Sequence, residues 1–333
     1  TLVYVDSTKG WRVVQDSTSS VDGSSYVTAT GGTIITCGDY KTHIFTSPGT
    51  FCVSAGSGPL ATVDYLVVAG GGSGGYFYRG SGGGAGGFRL SNSYGLPAPT
   101  MSPLANPTGV PVTIQGYSIT VGGGGASPTS CTGNNGSNSI FSTITSAGGG
   151  AGANCGPTSV RSQAGGSGGG RNTNTPSGCG SAGNTPPVSP PQGNPGGGIT
   201  YSAPNFGGGG GGAGAAGTDN TVFTPRTIAT GGIGSYISDS FIGPTAPSYG
   251  ESGPVGSTRY FAGGGGAGSY PMPAAVPGGI GGGGDGGYGC SPYLPSTAGS
   301  TNMGGGGGGQ SGPHPSSSSA GGSGIVIIRY RYQ

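Results

Sequence analysis

Hydrophobic residues gather in short runs at the two ends of the chain and in two internal islands. The N-terminal runs are "TLVYVD", "WRVV", "SYVTAT", "TIITC", "THIFT", "GTFCVS" and "VDYLVVAG". They are rich in β-branched and aromatic residues, and turn formers such as Asp22-Gly23, Gly31-Gly32 and Pro48-Gly49 separate them. This pattern predicts strands joined by tight turns. The islands are "YSITVG" at 117–122 and "SIFSTITSAG" at 139–148. In the closing "GIVIIRYRY", Arg329 and Arg331 alternate with Tyr330 and Tyr332, the period-2 pattern of a half-buried strand. No window carries apolar residues at i, i+3, i+4 and i+7, and glycine and proline interrupt nearly every candidate helix. The expected fold class is therefore all-β and irregular, with essentially no α-helix. A small β-sandwich unit is expected from 31–70 together with 324–333, preceded by a connecting β segment at 1–30. The opening "TLVYVDSTKGW" reads as a strand already under way, which implies an upstream region.

Between the ends lies a glycine-rich region, 71–323, that alternates two textures. Glycine tracts occupy 69–75, 80–87, 121–126, 147–153, 164–170, 207–217, 262–268, 278–287 and 304–309. Segments rich in Pro, Ser, Asn and Tyr separate them, a loose repeat of scaffold and loop. Glycine supplies 85 and proline 27 of 333 residues, a level that without a G-X-Y period usually marks low complexity. Ordering each glycine costs up to about 1 kcal/mol beyond alanine in regular structure, so backbone hydrogen bonds and close packing must offset it. A bundle of polyproline-II-type helices does this. Such a helix has no internal hydrogen bonds and turns all its N–H and C=O groups on its neighbours, and glycine allows close approach. In that arrangement Ala213, Ala215 and Ala216 mark positions on the bundle's surface. Conventional β-structure with glycine at bulges and turns is the rival.

Composition excludes several classes of function. The 11 basic residues are scattered and the formal net charge is +2, so no basic stripe suits nucleic acid. No apolar run approaches the roughly 20 residues of a membrane-spanning helix. G-x-S-x-G occurs at Ser73 and Ser167, but no helix follows either serine, as a nucleophile elbow requires. Lys9 and Lys41 are the only lysines and neither sits in a phosphate-binding loop; the nine carboxylates are dispersed. The chain reads as non-enzymatic and without a cofactor. Asn135-Gly-Ser137 is a formal glycosylation acceptor and reads as an ordinary turn. The cysteines are Cys37, Cys52, Cys131, Cys155, Cys179 and Cys290, with no C-x-x-C pair and only His43 and His314 to assist, a poor metal set. An even count in a chain short of apolar core fits disulfides and an oxidising, extracellular setting; free buried thiols are the alternative. Proximity in sequence would pair Cys37 with Cys52 and Cys131 with Cys155, leaving Cys179 and Cys290.

Aromatic residues divide by position. Those beside a tract (Tyr76, Phe88, Phe206, Phe261 and Tyr288) read as packing against the bundle. Tyrosines within loops read as recognition residues, since the ring offers rigid contact area and a hydrogen-bonding tip. The candidates for receptor contact are Tyr94, Tyr201, Tyr249, Tyr270 and Tyr293.

"VDYLVVAGGGSGG", "YSITVGGGG", "GNNGSNSIFSTITSAGGGAG" and "GGSGIVIIRYRY" resemble, in that order, the glycine-rich domain of bacteriophage tail-fibre and other virion proteins. "GGTIITCGDYKTHIFTSPGTFCVS" looks like its leading β-unit. More distantly the chain is similar to the polyglycine-sandwich adhesins of T-even-type long tail fibres, in which glycine helices form the core and loops choose the receptor. The resemblance implies a structural virion protein, extracellular and homotrimeric, attached to upstream fibre proteins and presenting loops to a host surface glycan or outer-membrane receptor. The cysteines and the proline-rich stretch 171–300 depart from that pattern. A secreted protein that polymerises into a filament by adding strands at sheet edges is the alternative.

Overall fold

The computed structural model describes residues 2–6, 10–13, 24–76, 80–129, 133–153, 161–172, 178–199, 207–220, 228–269, 275–289, 291, 293–312 and 319–333. Two antiparallel-rich sheets form a sandwich. One orders β4 (Thr33–Cys37), β5 (Tyr40–Phe45), β17 (Ile325–Arg331), β7 (Thr62–Val68), β8 (Phe88–Ser91) and β9 (Ala105–Asn106), with β10 (Val110–Pro111) also on β7. The other orders β13 (Ile144–Ser146), β12 (Ser139–Phe141), β11 (Gly116–Thr120), β6 (Gly49–Ser57) and β3 (Ser25–Thr30). A three-stranded sheet of β14 (Ser235–Ser238), β16 (Thr258–Phe261) and β15 (Glu251–Ser252) stands apart, as does the hairpin of β1 (Leu2–Asp6) and β2 (Gly10–Val13). Helix is confined to one α-helical turn, α1 (Asp239–Ile242), and two short 3-10 turns among the described residues. The all-β, irregular fold is thus present. The sandwich recruits more of the chain than 31–70 and the last strand: β3 belongs to it, and so do β8 and β11 to β13.

The C-terminal strand lies in the centre of its sheet, with β5 on one side and β7 on the other. Its alternation serves two cores. Val326, Ile328 and Tyr330 join Phe45, Phe51, Val53, Val67 and Phe141 between the two sheets. Ile325 and Ile327 face the opposite way, among Leu66, Phe88, Phe241, Ile242 and Phe261. Both faces are covered, and this corrects the half-buried reading of the strand: Arg329 is only 4% exposed. Each fully buried Val, Ile, Leu or Phe side chain of the two cores contributes about 1.5–3 kcal/mol.

Several strands run directly into glycine tracts, so the bundle continues the sandwich. β7 leads into 69–75, 80–87 leads into β8, β13 leads into 147–153, and 319–324 leads into β17. The tracts show a three-residue hydrogen-bond phase. In 69–75, the N–H groups of Ala69, Gly72 and Gly75 donate to Gly87, Gly84 and Ser81. Those of Gly70 and Ser73 donate to Ser137 and Asn134, and those of Gly71 and Gly74 to Gly322 and Ser319. One neighbour per third of a turn is the signature of a three-fold, polyproline-II-type helix rather than a β-strand, whose period is two.

The tract 80–87 is surrounded. Gly80, Gly83 and Gly86 donate to Gln310, Gly307 and Gly304; Ser81, Gly84 and Gly87 donate to Ala153, Gly150 and Ala147; Gly82 and Ala85 donate to Gly208 and Gly211. Its carbonyls accept from three further segments: from Gly72 and Gly75, from Ser167 and Gly170, and from Gly265 and Gly268. Glycine is required here by proximity. A Cβ on Gly83 would overlap the carbonyl oxygen of Gly72. The tract beginning at Gly207 obeys the same phase, with Gly208 and Gly211 donating to Arg171 and Gly168, and Gly210 and Ala213 donating to Gly265 and Ala262. Ala213 is buried against the second core, not at the bundle's surface, while Ala215 is half-buried and Ala216 exposed.

Side chains complete the lattice where no tract stands alongside. The N–H groups of Gly148 and Ala151, three residues apart, donate to Oδ1 of Asn138 and Asn135 at 2.9 and 2.8 Å. That of Ala147 donates to Oε1 of Gln192 at 2.9 Å. Asn135, the formal glycosylation acceptor, is thereby committed to the bundle.

Candidate functional site

The ionisable groups of the interior serve the fold. His43 is fully buried, with Nδ1 2.7 Å from the carbonyl oxygen of Gly31 and Nε2 3.0 Å from the Tyr330 hydroxyl. The first bond requires Nδ1–H as donor, leaving Nε2 to accept from Tyr330. Burial lowers the pKa of His43; the Gly31 bond opposes this and the charge of Lys41 adds to it. Burial pushes the Tyr330 phenol up to about 12. Asp64, also fully buried, accepts at Oδ1 from Ser91 Oγ (2.7 Å), Ser93 N (2.8 Å) and Ser93 Oγ (2.8 Å), and at Oδ2 from Tyr94 N (3.2 Å). Arg329 stands opposite Asp64 in the strand register and places its guanidinium 3.6 Å over the Tyr40 ring. Desolvation lowers its pKa, while Tyr40, Asp64 and Tyr94 counteract the shift.

This network accounts for Tyr94. It is half-buried, its hydroxyl donates to the Thr62 carbonyl at 2.6 Å, and its ring meets Tyr40 edge-on at 5.4 Å. Tyr249 is half-buried against the second core. Tyr293 is 38% exposed, beside Leu294, whose backbone pairs with Tyr288. The three sit in different surroundings and form no common surface; Tyr201 and Tyr270 lie outside the described residues. Of the rings beside tracts, Phe88, Phe261 and Tyr288 are buried and Tyr76 is half-buried; Phe206 lies outside the described residues. Cys37 and Cys52 are exposed free thiols on the edge of one sheet and within the other. The pairing suggested by their proximity is not formed, because adjacent segments of the chain enter different layers. Cys179 is likewise free and exposed, and Cys131, Cys155 and Cys290 lie outside the described residues. Ser73 and Ser167 are wholly buried in tracts, where Ser73 Oγ accepts from Asn134 N at 2.9 Å.

An apolar concave surface lies elsewhere. Where the bundle meets the three-stranded sheet, a groove of about 240 Å³ is lined by Pro103, Leu104, Pro191, Ala213, Ile233, Tyr236 and Tyr260, with Asn194 at its edge. Tyr236 and Tyr260 are register partners on β14 and β16, their rings 5.0 Å apart and tilted by 36°. Gly253 lies against the Tyr260 ring, where a Cβ would overlap it. Ile233 is 50% exposed. The groove is assembled from distant segments and tied internally: Asn194 Nδ2 donates to the carbonyls of Gly212 and Ala213 at 3.0 Å each, and Ser102 and Ser235 share a hydroxyl bond of 2.7 Å. Chemically it offers an apolar, aromatic face of the kind that holds a sugar ring or an apolar side chain. Neither tyrosine is among the receptor-contact candidates read from the sequence, because their pairing depends on a strand register that neither "SYIS" nor "TRYF" reveals alone.

No curated protein matches the chain. The family model of the glycine-rich domain matches residues 46–331, from the end of β5 to the last residue of β17. The chain belongs to the glycine-rich domain family.

Proposed function

We propose that this chain is a structural virion protein, the distal glycine-rich part of a phage tail fibre or adhesin. In this reading it is a homotrimer joined to upstream fibre proteins, and its loops recognise a host surface glycan or outer-membrane receptor. The observation that carries the reading is the groove around Tyr236 and Tyr260. Segments far apart in sequence are brought together there by a hydrogen-bonded glycine scaffold, the division of labour by which rigid frameworks present recognition loops. Further support comes from the motifs resembling virion proteins, which form β7, β11 to β13, β17 and the tracts joined to them.

The test is adsorption to host cells by particles bearing Ile233→Ser and Tyr236→Ala, with electron microscopy of the tail after labelling this chain. The expected result is label at the tail tip and at least a tenfold loss of adsorption, the size of a binding hot spot, with unchanged melting. Unchanged adsorption, or label away from the tail, would sink the proposal.

One observation favours the filament alternative. Strand β4 ends its sheet with no partner on its outer side among the described residues, and Ile34 on it is 46% exposed. Helical stacking of subunits in electron micrographs would carry that reading instead.

A further inference from the structure

A second concavity differs from the groove in chemistry. It has a volume of about 170 Å³ and is lined by Arg161, Ser162, Arg171, Asn172, Cys179 and Ser181, together with backbone of the bundle. Arg171 ends the tract that starts at Ala164, and its backbone is fixed. Its N–H donates to Gly197, and its carbonyl accepts from Gly208 N at 2.7 Å and from Ser81 Oγ at 2.6 Å. The guanidinium lies over Gly178, where a Cβ would come within 2.8 Å of Nη1, and Nη1 donates to the Cys179 carbonyl at 3.3 Å. Arg161 is exposed on the same pocket. Ser181 Oγ donates to the Ser162 carbonyl at 2.7 Å and lies 2.8 Å from Ser162 Oγ, holding that wall together.

Among the described residues no carboxylate lines the pocket. Asp219, on a neighbouring segment, is engaged with the N–H of Gly198 at 2.6 Å. Two arginines thus line one hollow in a chain with only 11 basic residues. Each guanidinium carries five donors in a fork that matches a carboxylate or phosphate. The volume equals about five or six waters. It falls below the roughly 300 Å³ at which sites for whole small molecules begin, so it suits a single charged group.

We propose that the pocket between Arg161 and Arg171 is an oxyanion subsite for a phosphate or carboxylate group. The group is either a free anion or a substituent of a surface glycan. The inference does not depend on the attachment reading, because it concerns binding to the chain alone.

The test is titration calorimetry of the full chain at low ionic strength with inorganic phosphate, glucose 6-phosphate and glucose, repeated with Arg161→Gln and Arg171→Gln. Both phosphates should bind and glucose should give no heat. Each variant should weaken phosphate binding at least tenfold. Tenfold tighter binding of glucose 6-phosphate than of phosphate assigns the site to a glycan substituent, and equal binding assigns it to the free ion. Absence of phosphate binding, or a loss under tenfold in either folded variant, overturns the proposal. Arg161 is exposed, so R161Q decides the matter if R171Q does not fold. Phosphate binding that persists while cell adsorption is unaffected by groove variants would sink the attachment reading alone.

Discussion

Glycine in this chain is not one kind of residue, and two positions make the difference measurable. Gly83 is buried, and a methyl there would drive into the Gly72 carbonyl, which is itself held by Gly307. Gly123 is exposed with nothing within 4 Å of its missing Cβ. Gly83→Ala should therefore destabilise by about 3 kcal/mol or more, as overpacking with backbone displacement does. Gly123→Ala should stay within about 0.5 kcal/mol of the parent. Urea unfolding followed by circular dichroism checks both, and equal midpoints would refute close packing of the tracts. His43 supplies a second residue-scale prediction. The unfolded imidazole titrates near 6.5, and burial lowers the folded value. The unfolded chain therefore takes up the proton first. Stability is fully present above about pH 6.5 and falls as pH drops from there through the folded pKa. Melting temperatures between pH 8 and 4 should show this acid-side decline, and His43→Gln should flatten it. An identical decline in H43Q would place the proton elsewhere.

At the scale of elements, period and partner are separate pieces of information. Alternation in "GIVIIRYRY" and turn residues around "TIITC" and "THIFT" made the strands legible, since both depend on neighbours in sequence. What covers each face was not legible. Arg329 reads as solvent-facing until α1 and the ring of Tyr40 are seen to close over it, and Tyr94 reads as a loop tip until Asp64 is seen to hold its backbone. The glycine tracts were recognisable as packing elements, but identical glycines carry no mark of which tract adjoins which. The same arrangement predicts a pattern of hydrogen exchange. Amides of 80–87, donating on all sides to buried tracts, should exchange at the slowest rates in the molecule, near the global unfolding limit. The amides of Gly38 and Asp39, in the exposed turn between β4 and β5, should exchange much faster. Rapid exchange throughout 80–87, read by mass spectrometry, would mean that the tracts are spacers.

Across the whole molecule, the sandwich supplies the hydrophobic stability that glycine cannot. Its central strand comes from the far end of the chain, so the sandwich closes only when β17 enters between β5 and β7. The bundle in turn buries the outer face of that sheet through Ala85 and Ala213. Each half thus covers a surface the other would leave exposed. The three-residue phase also has a consequence for how such a chain can vary in length. Extending a surface loop costs only about 0.6 kcal/mol for each doubling. Removing one glycine from within a tract turns every later residue by a third of a revolution and hands each of its N–H groups to a different neighbour. Loop lengths can therefore drift one residue at a time, whereas tract lengths can change without scrambling the lattice only in steps of three.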